Sequence, residues 1–104
     1  MRKIKLFLFL SFTLHADTIL IKNDSDNYLQ VYAENKRAAY PGDMRFVIEI
    51  APYKSALLKN INYKYLHFLG DDYNTYENFV PVYDGATYTI TIDNKSHNIY
   101  VNIK

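Results

Sequence analysis

Apolar and polar side chains alternate along most of the chain beyond residue 17. The cleanest run is Met44–Ile50 (MRFVIEI), in which Met44, Phe46, Ile48 and Ile50 face one way and Arg45, Val47 and Glu49 the other. A period of two is what a half-buried β-strand requires, because successive side chains leave opposite faces of the pleat. Residues 28–34 (YLQVYAE) repeat the pattern, with Leu29, Val31 and Ala33 on one face. Residues 86–93 (ATYTITID) do so with Ala86, Tyr88, Ile90 and Ile92, and residues 98–104 (NIYVNIK) with Ile99, Val101 and Ile103. Residues 18–22 and 55–59 read as short strands. Residues 61–69 read as a longer one with apolar residues on both faces: Tyr63, Tyr65 and His67 on one side, Leu66 and Phe68 on the other, core-facing side.

Turn chemistry separates these runs. "NDSDN" at 23–27, "APYKS" at 51–55, "DDYNTYEN" at 71–78 and "NKSH" at 94–97 carry Asx, Ser and Pro, whose side chains or ring favour bends. Asp84-Gly85, between NFVPVY and ATYTITID, predicts a tight hairpin with both turn residues at positive φ. Pro81 has no N–H for a ladder, which places the strand around 78–83 at a sheet edge. The sum is seven or eight short strands at intervals of about ten residues with no sustained helical period. This predicts an all-β domain, a small antiparallel Greek-key β-sandwich of immunoglobulin-like architecture.

The start of the chain breaks the pattern. MRKIK is followed by the nine-residue, mostly apolar run LFLFLSFTL and then His15-Ala16. Basic, apolar, then small is the layout of a secretory signal peptide. The apolar run falls short of the about 20 residues that cross a bilayer. The expectation is a leader over residues 1–16, cut after Ala16, and a single domain over 17–104, exported to the periplasm or secreted, with no membrane attachment after cleavage. No cysteine follows the apolar run, so a bacterial lipoprotein anchor has no attachment point.

Composition narrows the chemistry further. The chain has no cysteine. That removes disulfides, thiol catalysis, thiolate metal sites and iron–sulfur clusters, and leaves the core to hold the domain alone. There are 12 Lys and Arg against 11 Asp and Glu. Three of the cations, Arg2, Lys3 and Lys5, lie in the leader, so residues 17–104 are mildly acidic. No basic stripe or polybasic patch marks a nucleic-acid or membrane-surface partner.

No catalytic constellation emerges. Ser25, Ser55 and Ser96 sit outside any G-x-S-x-G elbow, and Ser96-His97 are neighbours in one turn. The acids Asp24, Asp26, Asp71, Asp72, Asp84 and Asp93 lie in turns, where Asp is favoured for backbone reasons. Glu49 reads as a surface residue beside Arg45. The loops NDSDN and GDDYN offer oxygens, but the calcium-loop pattern fails and only His67 and His97 are available to a softer metal. The expectation is therefore a non-enzyme with no cofactor and no metal site. The sequons at Asn23 and Asn94 would accept sugar only in a eukaryotic secretory pathway.

Tyrosine is what stands out: 11 Tyr and no Trp. Tyr88 alternates with Ile90 and Ile92 and belongs to the core, whereas Tyr28, Tyr32 and Tyr100 lie opposite the apolar faces of their strands. Tyr63, Tyr65 and His67 form an aromatic face beside a loop carrying Asp71, Asp72, Tyr73 and Tyr76. Exposed tyrosines near acids offer rigid contact area and a hydroxyl. Packing of a thin sandwich explains the same rings without any ligand. The sequence reading is a binding protein that recognises a protein partner through these seven residues, with the edge strand 78–83 as a second surface. A carbohydrate-binding module is the alternative, and a small secreted hydrolase a third.

Overall fold

The computed structural model describes residues 17–72 and 75–104; the expectation of a leader over residues 1–16 falls outside them. Eight strands follow one another: β1 (Ile19–Asn23), β2 (Leu29–Asn35), β3 (Met44–Ile50), β4 (Ser55–Leu58), β5 (Tyr63–Gly70), β6 (Tyr76–Pro81), β7 (Thr87–Asp93) and β8 (Asn98–Ile103). They form two four-stranded sheets, ordered β4-β1-β7-β8 and β3-β2-β5-β6. The alternating strands predicted from sequence are all present, and the all-β sandwich stands.

Ile19 and Ile21 of β1, Tyr88 and Ile90 of β7, Leu29 and Val31 of β2, and Leu66 and Phe68 of β5 are buried between the sheets. Each pair is two residues apart, so each strand delivers one face to the core. Every strand pair is antiparallel except β1 with β7, which run parallel. No thiol bridges the layers among the described residues, so burial of these chains and the ladders carry the fold.

Three departures from the simple pattern shape the outer surface, and each has a backbone cause. Opposite β2, the register of β3 shifts so that Val31 pairs with Ile48 and Tyr32 with Phe46. Val47 is the extra residue of a β-bulge, and a one-residue slip sends the following side chains to the other face. Ile48 and Ile50 stay inward, but Met44 and Phe46 are 46% and 56% exposed. The expectation that Met44 and Phe46 share one face with Ile48 and Ile50 is thus corrected. Between β2 and β5 the register shifts again at Lys64, pairing Asn35 with Tyr63 and Glu34 with Tyr65. Tyr63 consequently packs against the core and does not share a face with Tyr65, contrary to the sequence reading.

The third departure is at Asp84-Gly85. β6 and β7 belong to different sheets, so the predicted hairpin does not form. The chain crosses the sandwich through a turn in which Ala86 N–H donates to the Tyr83 carbonyl at 3.1 Å. Only Gly85 takes positive φ, 80°, the third-position requirement of a type II turn. The buried Tyr88 hydroxyl locks the crossing: it donates to the Pro81 carbonyl at 2.7 Å and accepts from Tyr83 N–H at 2.9 Å. Pro81 ends β6 at the outer edge of its sheet, as its missing N–H demands.

Asn23 closes the other end. Its amide is buried and donates to the carbonyls of Asn27, Ile50 and Ala51 at 2.7, 3.0 and 3.1 Å. A nitrogen held this way cannot also carry a sugar, which corrects the reading of Asn23 as an open sequon.

Candidate functional site

The β3-β2-β5-β6 sheet has one face on the core and one on the outside. On the outer face the register sets Tyr32 of β2 between Phe46 of β3 and His67 of β5, and Glu34 between Met44 and Tyr65. Leu69 pairs with Tyr76 of β6. Between these strands runs a groove of about 310 Å³ lined by Tyr32, Met44, His67, Phe68, Leu69, Tyr76 and Asn78. Around it Met44, Phe46, Tyr76 and Phe79 are each close to half exposed or more. The outward face of an edge sheet is ordinarily polar; this one is aromatic.

The rings are ordered against one another. Tyr32 and Phe46 meet edge to face, 5.5 Å between centroids at 76°. Phe79 stands edge-on to two rings, Tyr65 at 5.5 Å and 86° and His67 at 4.9 Å and 77°. The geometry favours the positive edge of one ring over the negative face of the next.

A second β-bulge produces the Phe79 arrangement. Leu66 pairs with Val80 and Phe68 with Glu77, so Asn78 and Phe79 together oppose His67. Phe79 adopts φ 56°, the left-handed region, which a bulky side chain rarely occupies. That conformation costs about 1–2 kcal/mol and turns the Phe79 ring over the sheet.

His67 lies beneath, only 2% exposed. Its Nδ1 accepts the Phe79 backbone N–H at 3.2 Å. A backbone N–H can only donate, so Nδ1 is unprotonated and the hydrogen of the neutral ring sits on Nε2. Nε2 is buried and makes no hydrogen bond. Burial holds the His67 pKa below the usual 6.5, while the Asn78 side chain and the Glu34 carboxylate pull it partly back. Glu34 is itself buried and accepts Gly42 N–H through Oε1 at 2.9 Å.

The residues singled out from sequence divide. Tyr65, His67 and Tyr76 come together on this face. His67 does so as a buried ring, not the exposed one expected, because the bulge folds Phe79 over it. Tyr63 is turned to the core. Asp71 is exposed in the β5–β6 loop. Asp72 turns away toward the other sheet: it accepts Thr75 N–H and Oγ1–H, both at 2.9 Å, and meets His97 Nδ1 at 3.1 Å. Tyr73 lies outside the described residues. Tyr32, Met44, Phe46, Leu69 and Phe79 belong to the face and were not singled out. Phe79 and Phe46 reach it through bulges, which leave no period-two signature.

Asp72, His97 and Thr75 have the residue types of a hydrolytic triad but not its geometry. A relay needs the hydroxyl on one imidazole nitrogen and the carboxylate on the other. Here Thr75 Oγ1 and Asp72 Oδ2 both meet Nδ1, at 3.3 and 3.1 Å. The cluster joins the β5–β6 loop to the β7–β8 turn.

No protein-family model matches the chain, and no curated protein is significantly similar to it in sequence. The fold does have a counterpart. Among solved structures, the T6SS lipoprotein TssJ1 from Pseudomonas aeruginosa is similar, with a TM-score of 0.51 and 14% identity, covering 86% of this chain and 98% of that one. At that identity the likeness carries the immunoglobulin-like sandwich and nothing of the site.

Proposed function

We propose that this protein is an exported, non-enzymatic β-sandwich that binds a protein partner with the outer face of its β3-β2-β5-β6 sheet. The carrying observation is that face: Phe46, Tyr76 and Phe79, each more than half exposed, ring an apolar groove. Exposed apolar patches of this kind mark interaction sites, and aromatic residues dominate the energetics of protein interfaces. Tyr65 and Tyr76 are the parts of the expected surface that take part. Export is supported by the basic-then-apolar leader and by the shared fold with a protein that is itself a lipoprotein.

Site-specific photo-crosslinking in the host tests this. A photoreactive residue at position 46 or 76 is expected to give one discrete protein adduct, and the same residue at position 100, on the opposite sheet, none. Replacing Phe79 and Tyr76 by Ala should lower the position-46 adduct by about tenfold, with the unfolding midpoint changed little. Adducts of equal strength from both faces, or glycan capture in their place, would overturn the reading.

A further inference from the structure

His67 is buried, has a bare Nε2–H, and holds by Nδ1 the amide of a phenylalanine in a left-handed conformation. We propose that His67 is an acid-released latch on the partner face: a proton from solvent adding to Nδ1 removes the acceptor of the Phe79 N–H and lets Phe79 leave its strained conformation. This rests on the partner-face reading for its biological consequence, but not for its chemistry.

The step follows from the tautomer. Neutral His67 carries its hydrogen on Nε2 because Nδ1 accepts from an amide. Taking up a proton can occur only at Nδ1, and two donors then face each other at what was a 3.2 Å bond. The bond is lost and like partial charges repel. Phe79 has an outlet, since relaxing from φ 56° to the ordinary β region recovers its strain. Its ring then leaves Tyr65 and His67, and the groove edge changes shape.

The surroundings set the direction of response. From β2, Tyr32 and the Glu34 carboxylate face the ring; from β5, Tyr65; from β6, Asn78 and Phe79; β3 contributes Met44 to the groove, while its Arg45 is held by Asp43 at 3.1 Å. Among the described residues Glu34 is the carboxylate that favours the imidazolium, and burial outweighs it. The latch is therefore closed at neutral pH and opens on acidification below 6.5.

Nitrogen-15 spectroscopy of the labelled protein reads this directly. At neutral pH the imidazole signals should show the Nε2–H tautomer. On acidification Nδ1 should protonate while the fold persists, and the Phe79 amide should shift with the same midpoint. Its hydrogen-exchange protection should fall by about tenfold, with the Ile21 and Tyr88 amides unchanged. In His67→Gln the Phe79 amide should show no such midpoint between about pH 5 and 8. A Phe79 amide that stays protected after His67 protonates, or a His67 that stays neutral until the whole domain unfolds, would overturn the latch. Neither result touches the neutral-pH crosslinks from position 46, so the two readings fail separately.

Discussion

Tyr88 reaches from β7 in one sheet to the end of β6 in the other, its hydroxyl donating to the Pro81 carbonyl at 2.7 Å. The same oxygen accepts Tyr83 N–H, so one buried side chain satisfies two backbone groups of the crossing. Tyr88→Phe keeps the ring and strands those two groups. The expected loss is about 1–3 kcal/mol, read as a lower urea midpoint at unchanged slope.

Asn23→Ala should cost a similar amount or more, about 2–3 kcal/mol, because three carbonyls lose their donor at once. Chemical denaturation checks it. A Ser25→Ala substitution should cost less. The Ser25 hydroxyl donates to Asn23 Oδ1 at 2.6 Å and supports the amide without replacing it.

Phe79→Gly tests whether backbone strain is maintained for the face. Glycine accepts φ 56° freely, so relief of about 1–2 kcal/mol opposes the loss of two ring contacts worth about 0.5–1.5 kcal/mol each. Stability should stay within about 1 kcal/mol of the parent, while the crosslink from position 46 should weaken. A large stability loss without any change in crosslinking would assign Phe79 to packing alone.

Removing the His97 side chain should have a small effect on stability. The Asp72–His97 pair is partly exposed, and such pairs contribute about 0–1 kcal/mol. Thr75→Val should cost more, since Thr75 is buried and its hydroxyl donates to Asp72. If His97→Ala were the more damaging of the two, the tie between loop and turn would carry more than its geometry implies.

Stability should depend on pH in two separate windows. A histidine with a lowered folded pKa contributes stability that is complete above 6.5 and declines as pH falls toward the folded value. His67→Gln should flatten that decline. Lower down, Asp43 is held below 3.8 first by its hydrogen bond from Arg45, and Asp93 first by Lys95 N–H. Their contributions are present above 3.8 and fade below it. Arg45→Ala should bring the Asp43 pKa back toward 3.8 in a carboxyl titration.

Much of this architecture is legible from residue order. In β2 and β7 the alternation of apolar and polar residues largely matches the observed burial, since a strand with one face on a core has no other way to satisfy its side chains. Turn chemistry and Pro81 located the gaps and an edge. Of the site, Tyr65 and Tyr76 were visible as exposed aromatics.

What tertiary structure decided is which face each residue reached after a bulge, and which strand it met. One extra residue at Val47 moves Met44 and Phe46 outward, and one at Lys64 moves Tyr63 inward. Two residues of β6 opposing His67 bury a histidine that alternation alone would have exposed. Asp84-Gly85 suits a hairpin and a crossing turn equally; the pairing of β6 with β5 and of β7 with β1 and β8 selects the crossing. A period of two specifies a face only while the ladder is unbroken. Where a break falls depends on contacts between strands distant in sequence, and no local pattern records it.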